Sequence, residues 1–197
     1  SGICMSAAWI YEGTPRNFAA MSLAAGAAIA ESITTQCGIE VQLKWPNDIV
    51  WNGQKLGGIL VESRVEAQGI CHVVIGAGIN VAVPHEALAK LSDWRAGAVD
   101  LRSAMNTDMC NRNALAGRIA ADLGALLSGF ERADENDWLQ SWRRLDYLRG
   151  KPIRIGTAAS AVDGVADGID EDGALLVIDS AGHRQRFMAG EASVRPQ

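Results

Sequence analysis

Val41 and Leu43 alternate with Gln42 and Lys44, the two-residue period of a half-buried strand. Pro46 ends that strand, because proline donates no backbone hydrogen bond and restricts the residue before it. Asn52-Gly53 is a two-residue hairpin signal, so 48–51 and 54–62 are predicted as paired antiparallel strands. Upstream, 3–11 reads as a strand. Thr14 as N-cap and Pro15 at the first helical position predict a helix running to about Gln36, with Gly38 as its stop. Its alanines and Gly26 suit close packing on a sheet, which makes it a core element. A strand follows over 72–80. Its continuous run Val73-Val74-Ile75 fits burial on both faces, and it ends in Gly76-Ala77-Gly78.

Residues 81–108 show little periodicity and contain Pro84, Trp94 and Gly97, so they predict a long irregular loop. Leu115, Ile119, Leu123, Leu126, Leu127 and Phe130 then fall on one helical face. Trp138, Leu139, Trp142 and Leu145 form a second, shorter apolar stripe. Gly150-Lys151-Pro152 marks a boundary. Beyond it, short alternating strands are punctuated by Asp163-Gly164, Asp172-Gly173 and Ala181-Gly182. This divides the chain into 1–149 and 150–197. The second part, under about 50 residues, is near the lower limit for folding alone and is expected to lean on the first.

Composition narrows the classes. The chain has 197 residues, 48% hydrophobic and 21% charged, as a soluble globular protein would. Its net charge, 18 − 23 = −5, offers no basic face for nucleic acid. No apolar run reaches the roughly 20 residues of a membrane span, and no signal peptide is visible. Cys4, Cys37, Cys71 and Cys110 are widely spaced with no Cys-x-x-Cys pair, so reduced thiols in the cytoplasm are expected. His72, His85 and His183 have no metal-ligand spacing, so no protein-held metal is expected.

The chemistry concentrates in Lys44-Trp45-Pro46-Asn47-Asp48 and Lys55-Leu56-Gly57-Gly58-Ile59-Leu60-Val61-Glu62. A single lysine on a hairpin is ordinarily just solvated. Here two lysines flank one turn, and glycines inside a strand mark a place where a ligand or another backbone comes close. Gly76-Ala77-Gly78 offers the same freedom of approach, although a lone Gly-x-Gly is also a common structural device. It is no dinucleotide fingerprint, because Val81 stands where the third glycine would be.

Together these blocks resemble the signature of biotin–protein ligases, whose Lys-Trp-Pro-Asn-Asp precedes a Lys-Leu-x-Gly-Ile-Leu-x-Glu strand. Gly76-Ala77-Gly78-Ile79-Asn80 is similar to that family's glycine-rich strand end. The run Gly168-Ile169-Asp170, then Asp172 to Leu176, and finally Gly190-Glu191-Ala192-Ser193-Val194-Arg195 resembles its closing SH3-like barrel. The likeness covers essentially the whole chain. It implies an α+β fold, a mixed, mostly antiparallel sheet flanked by helices of the class II aminoacyl-tRNA synthetase/biotin ligase kind, followed by the small barrel.

The resemblance also implies a two-step reaction in which biotin and ATP form biotinyl-AMP, and a lysine of a biotin carboxyl carrier protein domain takes the biotinyl group. It assigns Lys44 to the carboxylate and phosphate oxygens around the new bond, with Lys55 a further candidate for the same region. Asn47 and Asp48 would order the turn or help hold magnesium with ATP. Gly57 and Gly58 would let the ligand approach, Gly76, Ala77 and Gly78 would wall the biotin, and Asn80 would contact the adenylate. Trp94 would pack on the adenine from a loop that folds over it, or else anchor that loop to the core. The chain starts at Ser1 without an initiating methionine and looks like an internal fragment. The family's arginine- and glycine-rich loop, and in some members a DNA-binding domain, would lie upstream. No membrane or nucleic-acid partner is expected through this region, and a homodimer is left open. Two other readings stand beside the ligase: a non-catalytic module that binds biotin or biotinyl-AMP, and a lipoate-type protein ligase.

Overall fold

A computed structural model describes residues 1–90, 97–106, 110–131, 135–156, 161–189 and 193–196. The first sheet has five strands: β1 (Gly2–Tyr11), β2 (Gln42–Lys44), β3 (Asp48–Trp51), β4 (Gln54–Val65) and β5 (Cys71–Asn80). They lie in the order β1-β5-β4-β3-β2, and every neighbouring pair is antiparallel. The β3–β4 turn has Asn52 at φ 46° and Gly53 at φ 78°, both left-handed, as a two-residue hairpin requires.

Helix α1 (Met21–Cys37) crosses one face of this sheet and carries the core, with Met21, Ala25, Ile29 and Ile33 fully buried. A Cβ on Gly26 would sit 3.4 Å from the side chains of both Leu43 and Ile59, so the helix lies close on the sheet there. The Phe18–Cys37 segment is long and apolar enough by composition to cross a membrane, but most of it is buried in this core. Beyond β5 come α2 (His85–Lys90) and α3 (Leu101–Met105). They are followed by α4 (Arg112–Gly129) and α5 (Glu135–Leu145), which pack on α1. The predicted α4 stripe buries Leu115, Ile119, Leu123, Leu127 and Phe130.

The second sheet comprises β6 (Pro152–Gly156), β7 (Ala161–Ile169), β8 (Leu175–Asp179), β9 (Arg184–Phe187) and β10 (Ser193–Pro196). Its order is β10-β6-β7-β8-β9, again antiparallel throughout. The class is α+β, with an SH3-like C-terminal sheet.

Three details depart from the sequence reading. Thr14-Pro15 does not open the helix. Asn17 turns the chain through φ 55°, a 3-10 turn spans Phe18–Ala20, and α1 begins only at Met21. Strand β5 is not fully buried on both faces: Val73 and Ile75 are fully buried, whereas Val74 between them is only partly buried. Residues 81–108 are not wholly irregular, since α2 and α3 lie within them. Each is under two turns long, too short to display a helical period. Asp100 starts α3 as its N-cap, accepting from the Ser103 N–H at 2.9 Å.

Candidate active site

One register row crosses the whole first sheet. Lys44 pairs with Asp48, Asp48 with Gly58, Gly58 with Gly78, and Gly78 with Cys4. Side chains in one row share a face. The adjacent row, Leu43, Ile49, Gly57, Ile79 and Ile3, faces α1 and is buried. The Lys44 row therefore lies on the opposite face, away from α1. Two residues along on that face, Leu60, Gly76 and Ser6 form a parallel row. An open groove of about 460 Å³ runs over these positions. Gly58, Gly76, Gly78, Cys4 and Ser6 make its floor, and Asn47, Asp48 and Lys55 stand at its rim. The glycines leave it open: a Cβ on Gly76 or Gly78 would meet nothing closer than 3.6 Å or 3.9 Å.

The charges meet at Asp48. One carboxylate oxygen holds Lys44 Nζ at 3.3 Å, and the other holds Lys55 Nζ at 2.5 Å. The Lys44 side chain is only 9% exposed, whereas that of Lys55 is 38% exposed. Burial pushes the Lys44 ammonium below the ordinary lysine range, the Asp48 charge and hydrogen bond oppose it, and Lys55 adds to the lowering. Two cations sharing one carboxylate leave a net positive charge beside a floor of bare backbone. Asn47 is pinned in the turn: its Nδ2 donates to the Ile59 carbonyl and its own carbonyl accepts from the Ile59 N–H, both at 2.9 Å. The Trp45–Pro46 peptide just before it is cis.

The other expected residues separate. Gly57 belongs to the core row. A Cβ there would lie 2.5 Å from the Gly78 carbonyl oxygen, so its role is to let β4 and β5 approach. The Ala77 side chain is in the hydrophobic core, which leaves only its main chain to line the groove. Asn80 lies on the groove side of β5 but outside the lining, and donates to the Val99 carbonyl at 3.1 Å. Trp94 lies outside the described residues. Cys4 and Ser6, outside the blocks that the sequence points to, also line the groove. Cys4 and Ser6 sit at alternate positions of a readable strand, but nothing local says that it pairs with β5.

The Biotin/lipoate A/B protein ligase family model matches residues 10–80, and the Biotin protein ligase C terminal domain matches residues 149–195. The biotin–[acetyl-CoA-carboxylase] ligase of Paracoccus denitrificans is 31% identical over 186 residues, covering 88% of this chain and 72% of that protein. The chain belongs to the biotin protein ligase family. Another member, the bifunctional ligase/repressor BirA of Escherichia coli (strain K12), is 33% identical over 196 residues, 99% of this chain and 59% of BirA. The chain thus spans about three-fifths of the BirA length. Among biotin protein ligases of known structure, that of Aquifex aeolicus superposes with a TM-score of 0.79 at 21% identity, covering 100% of this chain and 82% of that one. The same enzyme in complex with biotin and ATP superposes with a TM-score of 0.78 at 20% identity, covering 98% and 79%.

Proposed function

We propose that this chain is the catalytic region of an ATP-dependent biotin–protein ligase, with residues 1–149 forming the ligase domain and 150–197 its C-terminal barrel. Biotin carboxylate oxygen attacks the α-phosphorus of ATP. The bond to the β-phosphate breaks, pyrophosphate leaves, and biotinyl-AMP remains. A lysine amine of a biotin carboxyl carrier domain then attacks the acyl carbon, an amide forms, AMP leaves, and the amine proton passes to solvent.

The single observation that carries this reading is the row Lys44–Asp48–Gly58–Gly78–Cys4. The first step joins two anions, so fixed cations are needed where they meet and where charge builds. A buried ammonium acts there with more force than a solvated one, because the local dielectric is low. Lys44 is the catalytic residue, at the carboxylate and α-phosphate oxygens. Lys55, more exposed, draws the phosphates to the rim. Asp48 pairs with both lysines and orients them, and Asn47 holds the turn that presents it. Gly58, Gly76 and Gly78 let the apolar body of biotin lie on the sheet. Among the described residues no three carboxylate, histidine or thiol groups gather to hold a metal, and Asp48 is committed to two lysines. The described residues thus offer no ready-made cage for magnesium, and the metal would come with the nucleotide phosphates.

ATP–pyrophosphate exchange by the full-length protein tests the reading. Exchange dependent on biotin, followed by transfer to a carrier domain, is the expected result. Exchange driven by lipoate would make it a lipoate ligase. Biotin binding by calorimetry with no exchange would make it a binding module.

A further inference from the structure

We infer that Trp45 is a positioning residue for Lys44, and that the C-terminal sheet, through the Gly173 carbonyl, holds it in place. The inference rests on the proposed role of Lys44. Strand β2 has three residues and lies at the edge of its sheet, paired with β3 alone. By itself it would hold Lys44 loosely. The residues on either side of Lys44 are fastened from elsewhere. Upstream, the Leu43 carbonyl accepts from the Tyr147 N–H at 2.9 Å, and Leu43 forms a parallel bridge with Asp146. Downstream, Trp45 is fully buried, and its indole N–H donates to the Gly173 carbonyl at 3.0 Å, 128 residues away. The Ser22 hydroxyl adds a bond to the Pro46 carbonyl at 3.1 Å.

The Gly173 turn is itself braced by hydrogen bonds and ion pairs. Asp170 accepts from the Asp172 and Ala174 N–H groups at 3.0 and 2.9 Å, and Arg186 pairs with both Asp170 and Asp172. Gly173 has φ +81°, and a Cβ on it would lie 2.9 Å from Leu23 and 3.0 Å from Ala20. The turn is therefore seated against the start of α1, and a shift of it would strain the Trp45 hydrogen bond. Lys44 sits between two such anchors, facing Asp48 and Lys55 as its charged neighbours. Misplacing a reacting group by about 1 Å can cost on the order of a hundredfold in rate.

Two variants of the full-length protein test this. Trp45→Phe removes the indole donor and keeps a ring. Gly173→Ala drives the turn away from α1. Gly182→Ala is the control: it carries similar strain at φ +82° in the same sheet, with nothing within 4 Å of its new methyl group. Pyrophosphate exchange is measured well below each variant's melting temperature. Trp45→Phe and Gly173→Ala are expected to lower kcat at least tenfold with biotin KM within twofold. The alkaline limb of the kcat–pH profile should move to higher pH as water reaches Lys44. Gly182→Ala should leave kcat and profile unchanged. If Trp45→Phe does not fold, Gly173→Ala decides. Unchanged kcat and profile in the folded variants, with only a lower melting temperature, would overturn the inference. So would equal loss in Gly182→Ala. Lys44→Ala is run alongside: full activity there removes the proposed role of Lys44 and this inference with it. Loss in Lys44→Ala with normal Trp45→Phe and Gly173→Ala removes this inference alone.

Discussion

Lys44 faces Asp48 across the β2–β3 ladder, and the same two side chains close an ion pair at 3.3 Å. Register and charge thus agree on one contact, and the contact lies at the end of the glycine floor.

A buried ammonium at this place should cost stability. Lys44 has its folded pKa below that of a free lysine, with desolvation the leading cause. The sign follows. Between the folded value and about 10.4 the unfolded chain binds more protons, so the cost of Lys44 is full at neutral pH and fades as pH rises through that window. Lys44→Met should therefore melt at the same or a higher temperature at pH 7, because the desolvation cost is removed while Asp48 keeps Lys55 as its partner and is not left unpaired. Relative to the variant, the wild type should gain stability as pH rises. Biotin-dependent pyrophosphate exchange should fall more than tenfold, a barrier change above about 1.4 kcal/mol. A large drop in melting temperature would make Lys44 a structural residue.

Adjacent glycines should respond differently. A methyl group on Gly57 has nowhere to go, lying 2.5 Å from the Gly78 carbonyl and 2.9 Å from Ile79. Gly57→Ala should cost about 1–3 kcal/mol in urea unfolding, as overpacking does. A methyl group on Gly58 meets only the Lys55 side chain and the Asn47 carbonyl, at 3.6–3.7 Å. Gly58→Ala should keep its stability and weaken biotin binding by calorimetry. Opposite outcomes at the two positions would place the groove on the wrong face of the sheet.

Asp100 should prove a structural clamp. It accepts from Val83 N–H at 2.7 Å and Ser103 N–H at 2.9 Å. Desolvation would push its carboxyl up, but the Ser103 and Val83 hydrogen bonds outweigh it and hold the pKa below the usual carboxylate range. Asp100→Ala should cost about 1–3 kcal/mol. A depressed acid stabilises above its unfolded pKa of about 3.9 and loses that contribution as pH falls through the folded value. The gap between wild type and variant in thermal unfolding should therefore narrow below about pH 4. A gap that stayed constant with pH would mean the carboxylate charge is not what matters.

Local chemistry made much of this molecule readable. The Asn52-Gly53 hairpin, the Gly38 helix stop and the α4 stripe each follow from a few neighbouring residues. Lys44, Asp48 and the groove glycines are legible because they cluster in three short blocks. What stayed hidden depends on pairing across long separations. Gly57 and Gly58 are equivalent as letters, and only the register with Asp48, Ile49 and β5 puts one in the core and the other in the groove. Cys4 and Ser6 join the site through a strand pairing about seventy residues away. Asp100 capping a five-residue helix is below the length at which periodicity speaks.

The strand order also sets a sequence of events during synthesis. β3, β4 and β5 are successive neighbours joined by short turns, so they can pair as they emerge. β1 is made before them, yet among the described residues its partner in the sheet is β5. Gly2 must wait for Asn80. Contacts of such long separation are slow to form. The Cys4 and Ser6 side of the groove is thus made well before β5 and assembled only after it. Until then the nascent chain carries an unpaired edge on β5, beside the lysines that are already in place.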